Sequence, residues 1–201
     1  MRGRWRKTAL IDSIMKIICI AWGSLIWRPG QLVLASDWHA GGPLLPLEFA
    51  RDSDDSDELA LVLCNGAAPV PTYWARMATD DLDVAKAQLQ QREKIAADRP
   101  EWVGCIGAAQ DRHDAVSDTI GNWLAAHDAD CAIWTAIPPK FHHQNGRVPT
   151  EAEAIAFLTS LRGEARVTAE DYIRRVPADI MTAYRVRFGE LLHWTPLPCT
   201  A

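Results

Sequence analysis

Ile17–Trp27 reads IICIAWGSLIW, and the reading of this run decides the fold. It is continuously apolar and rich in β-branched residues, the composition of a buried strand. It is too short to cross a bilayer as a helix. Within it, Trp22-Gly23-Ser24-Leu25 ends the strand, because glycine lets the backbone turn tightly. A strand that stops in such a turn presents successive backbone N–H groups, which can form an anion-binding nest. A plain strand-end turn is the alternative.

Working outward, Arg28-Pro29-Gly30 signals a turn, Gln31–Ala35 a short strand or turn, and Asp37–Pro46 a Gly/Pro-punctuated loop. Leu47–Arg51 and Leu59–Cys64 read as strands joined by the acidic segment Asp52–Glu58, a solvated hairpin loop. Asn65-Gly66 is a turn pair, and Val70–Met77 a further strand. Asp80–Ile95 has an acidic start and apolar Leu82, Ala85 and Leu89 at helical spacing. Trp102–Ala108 can rejoin the sheet, and Asp114–Ala126 carries Val116, Ile120, Trp123 and Leu124 on one helical face. Cys131–Ile137 reads as a strand stopped by Pro138-Pro139, followed by a polar loop, Lys140–Val148. Thr150 with Glu153 is a capping box that opens a helix to Leu161. Thr168–Val176 reads as a helix, and Pro177 as the opening of the last one, through Leu192. Strands dominate the first half and helices the second, without βαβ alternation, which is an α+β pattern.

At 201 residues the chain suits one domain with a sizeable core. We assign residues 1–14 to an N-terminal extension and 15–201 to a single domain. A net charge of −5 argues against a nucleic-acid surface. Arg2, Arg4, Arg6 and Lys7 before an apolar stretch mimic a signal peptide, but Asp12 and Lys16 interrupt the stretch and no small-residue cleavage site follows. The five cysteines are odd in number, widely spaced and mostly in apolar segments, as reduced thiols of a cytoplasmic protein would be. No C-x-x-C or metal-ligand spacing occurs, and the adjacent His142 and His143 diverge on any regular element, so no metal is expected.

AWGSLIW (Ala21–Trp27), then LQQREK (Leu89–Lys94) downstream, resembles the γ-glutamylcyclotransferase-like superfamily, nearest its glutathione-specific, ChaC-type branch. There a YGSLIW-like strand-turn pairs with a later L-x-x-R-E segment. EFARDS and ELALVL (Glu48–Ser53, Glu58–Leu63) look like that branch's strand pair. The likeness spans about Ile17 to Glu93. It implies a small mixed β-barrel or sheet with flanking helices.

The reaction the resemblance implies is internal to the substrate. The α-amino group of a γ-glutamyl compound attacks its own γ-carbonyl, 5-oxoproline forms and the amine leaves, with no cofactor, because proximity is built in. A carboxylate can carry the proton between the two amines, and backbone amides at the turn can hold the oxyanion. Glu93 matches the family's catalytic carboxylate. Gly23, Ser24 and Leu25 match its substrate-holding turn, with Trp22 where the family has Tyr, so that an indole N–H replaces a phenol hydroxyl. Lys94-Ile95 stands where a Gly-Tyr follows the catalytic Glu. Tyr172, in AEDYIRR, corresponds to a late family Tyr; a partly buried helix Tyr is its structural alternative. The partner implied is a small γ-glutamyl substrate, with neither nucleic acid nor membrane. The other expectation is a non-catalytic member of the fold that binds a metabolite or a protein, with Glu93 structural.

Overall fold

The computed structural model describes residues 14–53, 58–107 and 114–198, so residues 1–13 of the expected extension and most of the acidic hairpin loop lie outside the described residues. The strands are β1 (Ile17–Ala21), β2 (His39–Ala40), β3 (Leu45–Asp52), β4 (Leu59–Leu63), β5 (Pro69–Val70), β6 (Tyr73–Arg76), β7 (Val103–Gly107), β8 (Cys131–Thr135), β9 (Lys140–Phe141) and β10 (Gln144–Asn145). The helices are α1 (Leu82–Arg92), α2 (Ala115–Ala125), α3 (Glu151–Ser160), α4 (Gly163–Arg175) and α5 (Ala183–Leu192). The protein is α+β, with two mixed sheets, one of them curled into a half-barrel.

One sheet runs β2-β6-β1-β8-β7 and the other β10-β9-β3-β4, with β5 against β3. β1 is central and pairs antiparallel with β6 but parallel with β8, Ile20 lying opposite Trp134. Both its faces are covered, which explains its unbroken apolar run. Ile18 and Ile20 point between the sheets, against Leu47, Phe49 and Leu61 of β3 and β4 and the inner faces of α2 to α5. Ile17, Cys19 and Ala21 pack on the opposite side with Ala85 and Leu89 of α1. On β7, Gly104 sits opposite Trp134, and a Cβ there would come within 2.1 Å of the indole, so glycine lets the ring lie across the strand.

Several element boundaries differ from expectation. The Val70–Met77 strand is broken into β5 and β6, and the segment around Asp37–Pro46 contributes β2 and the start of β3. α4 begins at Gly163 rather than Thr168, because Gly163–Val167 carries no apolar periodicity to announce it. Pro177 opens no helix. Its carbonyl, with those of Ile173, Val176 and Ile180, accepts from the buried Arg185 guanidinium. α5 starts after Thr182, whose hydroxyl accepts from the Arg185 backbone and donates to the buried Glu48 carboxylate (2.6 Å). The Lys140–Val148 loop holds a two-residue hairpin, β9 to β10, with His142 and His143 both at positive φ. The Thr150–Glu153 capping box is present as read.

Candidate functional site

α1 delivers Glu93 to the site. Asp81 caps the start of the helix through the amides of Asp83 and Val84, and Glu93 stands at its C-terminal cap. Beyond it Lys94 is left-handed (φ 52), with Lys94 N–H bonding Gln91 and Ile95 N–H bonding Gln90, a Schellman closure in which lysine takes the place usual for glycine. The helix therefore ends at Arg92, short of the expected Ile95, and with no glycine at the stop the sequence carries no sign of it. The Glu93 carboxylate sits at the negative end of the helix dipole, which disfavours its charge.

β1 delivers the turn. After Ala21 the chain bends, Ile26 N–H bonding the Gly23 carbonyl (3.0 Å) and Arg28 N–H that of Ser24 (2.8 Å). Among the described residues, no acceptor takes the N–H groups of Gly23, Ser24 or Leu25. Gly23 is required: a Cβ would stand 2.7 Å from the Tyr172 hydroxyl. That hydroxyl, on α4, accepts the Leu61 N–H at 3.1 Å and keeps its own proton available to donate.

These pieces line a single cavity of about 380 Å³. Trp22, Gly23, Ser24, Leu25, Glu93 and Tyr172 all contribute to its wall, so all six residues read from the sequence are brought together. Trp22 contributes as wall rather than as donor, since its indole N–H bonds the Leu61 carbonyl at 2.9 Å. The Glu93 side chain is 17 % exposed. Oε1 receives the Thr135 hydroxyl (3.3 Å) and faces Arg92 Nη1 at 3.2 Å. Oε2 takes no hydrogen bond from the described residues. Burial pushes the carboxyl above the usual glutamate range, and the Arg92 charge and the bonds from Thr135 and Arg92 pull it back only in part. Cys19 lies beneath, fully buried, with its thiol pushed up mainly by burial.

Sequence reasoning missed Thr135, Arg51, Glu58 and Trp102 of the wall. Thr135 follows the residue opposite Ile20, so it reaches the site only through the parallel β1–β8 pairing, which no local pattern announces. Arg51 reaches the Pro138 carbonyl at 3.0 Å and lies over the Trp102 ring. The lining carries cations from Arg51, Arg92 and Lys94 against two carboxylates, an environment suited to a small ligand that bears both signs of charge.

Among the described residues, no three His, Cys, Asp or Glu side chains gather as a metal site requires, and no helix is long and apolar enough to cross a membrane. Compared with protein-family models, with curated proteins and with solved structures, the chain finds no match.

Proposed function

We propose that the protein is a γ-glutamylcyclotransferase-type enzyme built on a small mixed barrel with flanking helices, converting a γ-glutamyl amide or peptide to 5-oxoproline and a free amine. The observation that carries this reading is that Glu93, a partly buried carboxylate, and Gly23 to Leu25, whose amides meet no acceptor among the described residues, line one cavity. Glu93 Oε2 removes a proton from the substrate's α-ammonium. The freed amine attacks the γ-carbonyl carbon, and the turn amides hold the developing oxyanion. When the tetrahedral intermediate collapses, the γ C–N bond breaks as Glu93 gives this proton to the departing nitrogen. Glu93 then takes the second proton from the cationic ring nitrogen and passes it to the freed amine, which leaves as an ammonium beside the neutral lactam. Charge is balanced throughout and the two products account for every atom. A raised Glu93 pKa brings its basicity nearer that of the ammonium it must deprotonate. The Tyr172 hydroxyl can donate to a substrate carboxylate or carbonyl. The four described cysteines are free, which supports the cytoplasmic reading.

The test is a screen of purified protein against γ-glutamyl amino acids, γ-glutamyl amines and glutathione, with 5-oxoproline as readout. A second reading, a binding protein of the same fold, draws on the Arg92–Glu93 contact, which holds the carboxylate in an ion pair. Tight binding of a γ-glutamyl compound with no 5-oxoproline would favour it.

A further inference from the structure

Arg92 touches both halves of the cavity. Its Nε and Nη2 close on the Arg28 carbonyl at 3.1 and 2.9 Å, Nη2 also donates to Ser24 Oγ at 3.0 Å, and Nη1 faces Glu93 Oε1 at 3.2 Å. Its stem lies against Gly30, where a Cβ would come within 3.2 Å of Arg92 Cγ, and the side chain is only 13 % exposed. The Gly23–Gly30 segment therefore wraps a guanidinium that belongs to the end of α1. The three unpaired amides sit on irregular backbone, which no ladder of strand or helix bonds holds in place. Their place is set where Ser24 and Arg28 are held, and Arg92 holds both.

We propose that Arg92 is the positioning residue of the site: one forked guanidinium fixes the amide turn against Glu93 and turns Glu93 Oε1 away, leaving Oε2 to the substrate. This rests on the cyclotransferase reading for its catalytic consequence, but not for its geometric one. Arginine is required because a planar fork can meet a carbonyl, a hydroxyl and a carboxylate in one plane, and an ammonium cannot. The charge of Arg92 also opposes the effect of burial on Glu93. The other charged or titratable groups around Glu93 are Lys94 beyond it on the chain, Cys19 of β1, Arg51 of β3, Glu58 before β4 and Tyr172 of α4.

The test compares wild type, Arg92→Lys and Arg92→Met. Two readouts are used: ¹³C titration of the Glu93 carboxyl, which needs no turnover, and kcat and KM for 5-oxoproline release across pH. Arg92→Lys keeps the charge and loses the fork, so the Glu93 titration stays near wild type while kcat falls about 100-fold, the scale of an ångström-level misplacement. Arg92→Met loses both, so the titration of Glu93 and the acid limb of kcat/KM move to higher pH and kcat falls at least as far. Retention of wild-type kcat by the lysine variant would overturn the proposal, as would an unmoved Glu93 titration in the methionine variant. If wild type releases no 5-oxoproline while the titration still moves as stated, the cyclotransferase reading fails and the clasp on Glu93 stands.

Discussion

Glu93 is held where a carboxylate is least comfortable, largely shielded from water and at the C-terminal end of a helix, and the fold gives up stability to keep it there. The sign follows from linkage. A glutamate whose folded pKa lies above its unfolded value binds more protons in the native state, so it lowers stability as pH rises from the ordinary glutamate range through the raised value. Glu93→Gln removes that loss. We expect the variant's melting temperature, relative to wild type, to climb with pH across this window in parallel thermal scans. Its 5-oxoproline formation should fall by about 10²–10⁴-fold, because an amide accepts no proton. Equal turnover by the Gln variant would remove Glu93 from the role of base. At the facing wall, Gly23→Ala forces its new methyl into the Tyr172 hydroxyl, itself fixed by Leu61. Overpacking of this kind costs about 1–3 kcal/mol, read by denaturant titration, and Tyr172→Phe should relieve part of it by removing the oxygen.

At the level of elements, what could be read from the sequence was what local chemistry writes down. The unbroken apolar run of β1, the 3.6-residue spacing of α1 and α2, and the Thr150–Glu153 box each state their own identity, and each is found. Where a tertiary partner supplies the signal, the sequence is silent. α5 does not start at Pro177 because Arg185 draws four carbonyls around itself and holds Pro177–Ile180 as a turn, and Thr182 caps the helix through the Arg185 N–H while donating its own proton to Glu48 on β3. Burial lowers the Arg185 pKa to about 10, still far above neutrality, so the bonds persist at physiological pH. The His142-His143 hairpin was illegible for a different reason: two-residue loops with both φ positive favour Asn-Gly, and histidine gives no such sign. Its left-handed backbone is kept by the His142 N–H bond to Asp52 (2.7 Å). Replacing His142-His143 by Asn-Gly should therefore stabilise the protein by about 0.5–1 kcal/mol, measured as a higher urea midpoint with unchanged slope. A lower midpoint would mean that the imidazoles themselves contribute packing there.

Across the whole molecule, the candidate site was half legible. Trp22 to Leu25 and Glu93 could be named because the two segments resemble known motifs, whereas Thr135 enters only because β8 lies parallel to β1 across a separation of more than a hundred residues. The cavity is consequently assembled from both sheets, the end of α1 and the last turn of α4. A ligand that bridges these parts binds the folded chain and not the unfolded one, so its affinity adds directly to global stability. Glu93→Gln offers the clean background, since it should bind a γ-glutamyl compound without consuming it. At a hundred times Kd the added stability is about 2.7 kcal/mol. For a chain of this length that corresponds to roughly 5–10 °C in melting temperature. Because one core cluster joins residues of both sheets and four helices, the indole fluorescence and the far-UV signal should move together in a single transition, with and without ligand. A compound that raises the fluorescence transition and leaves the far-UV one in place would show that the sheets unfold separately. Indifference of the variant to every γ-glutamyl compound tested would sink the assignment of the cavity to that substrate class.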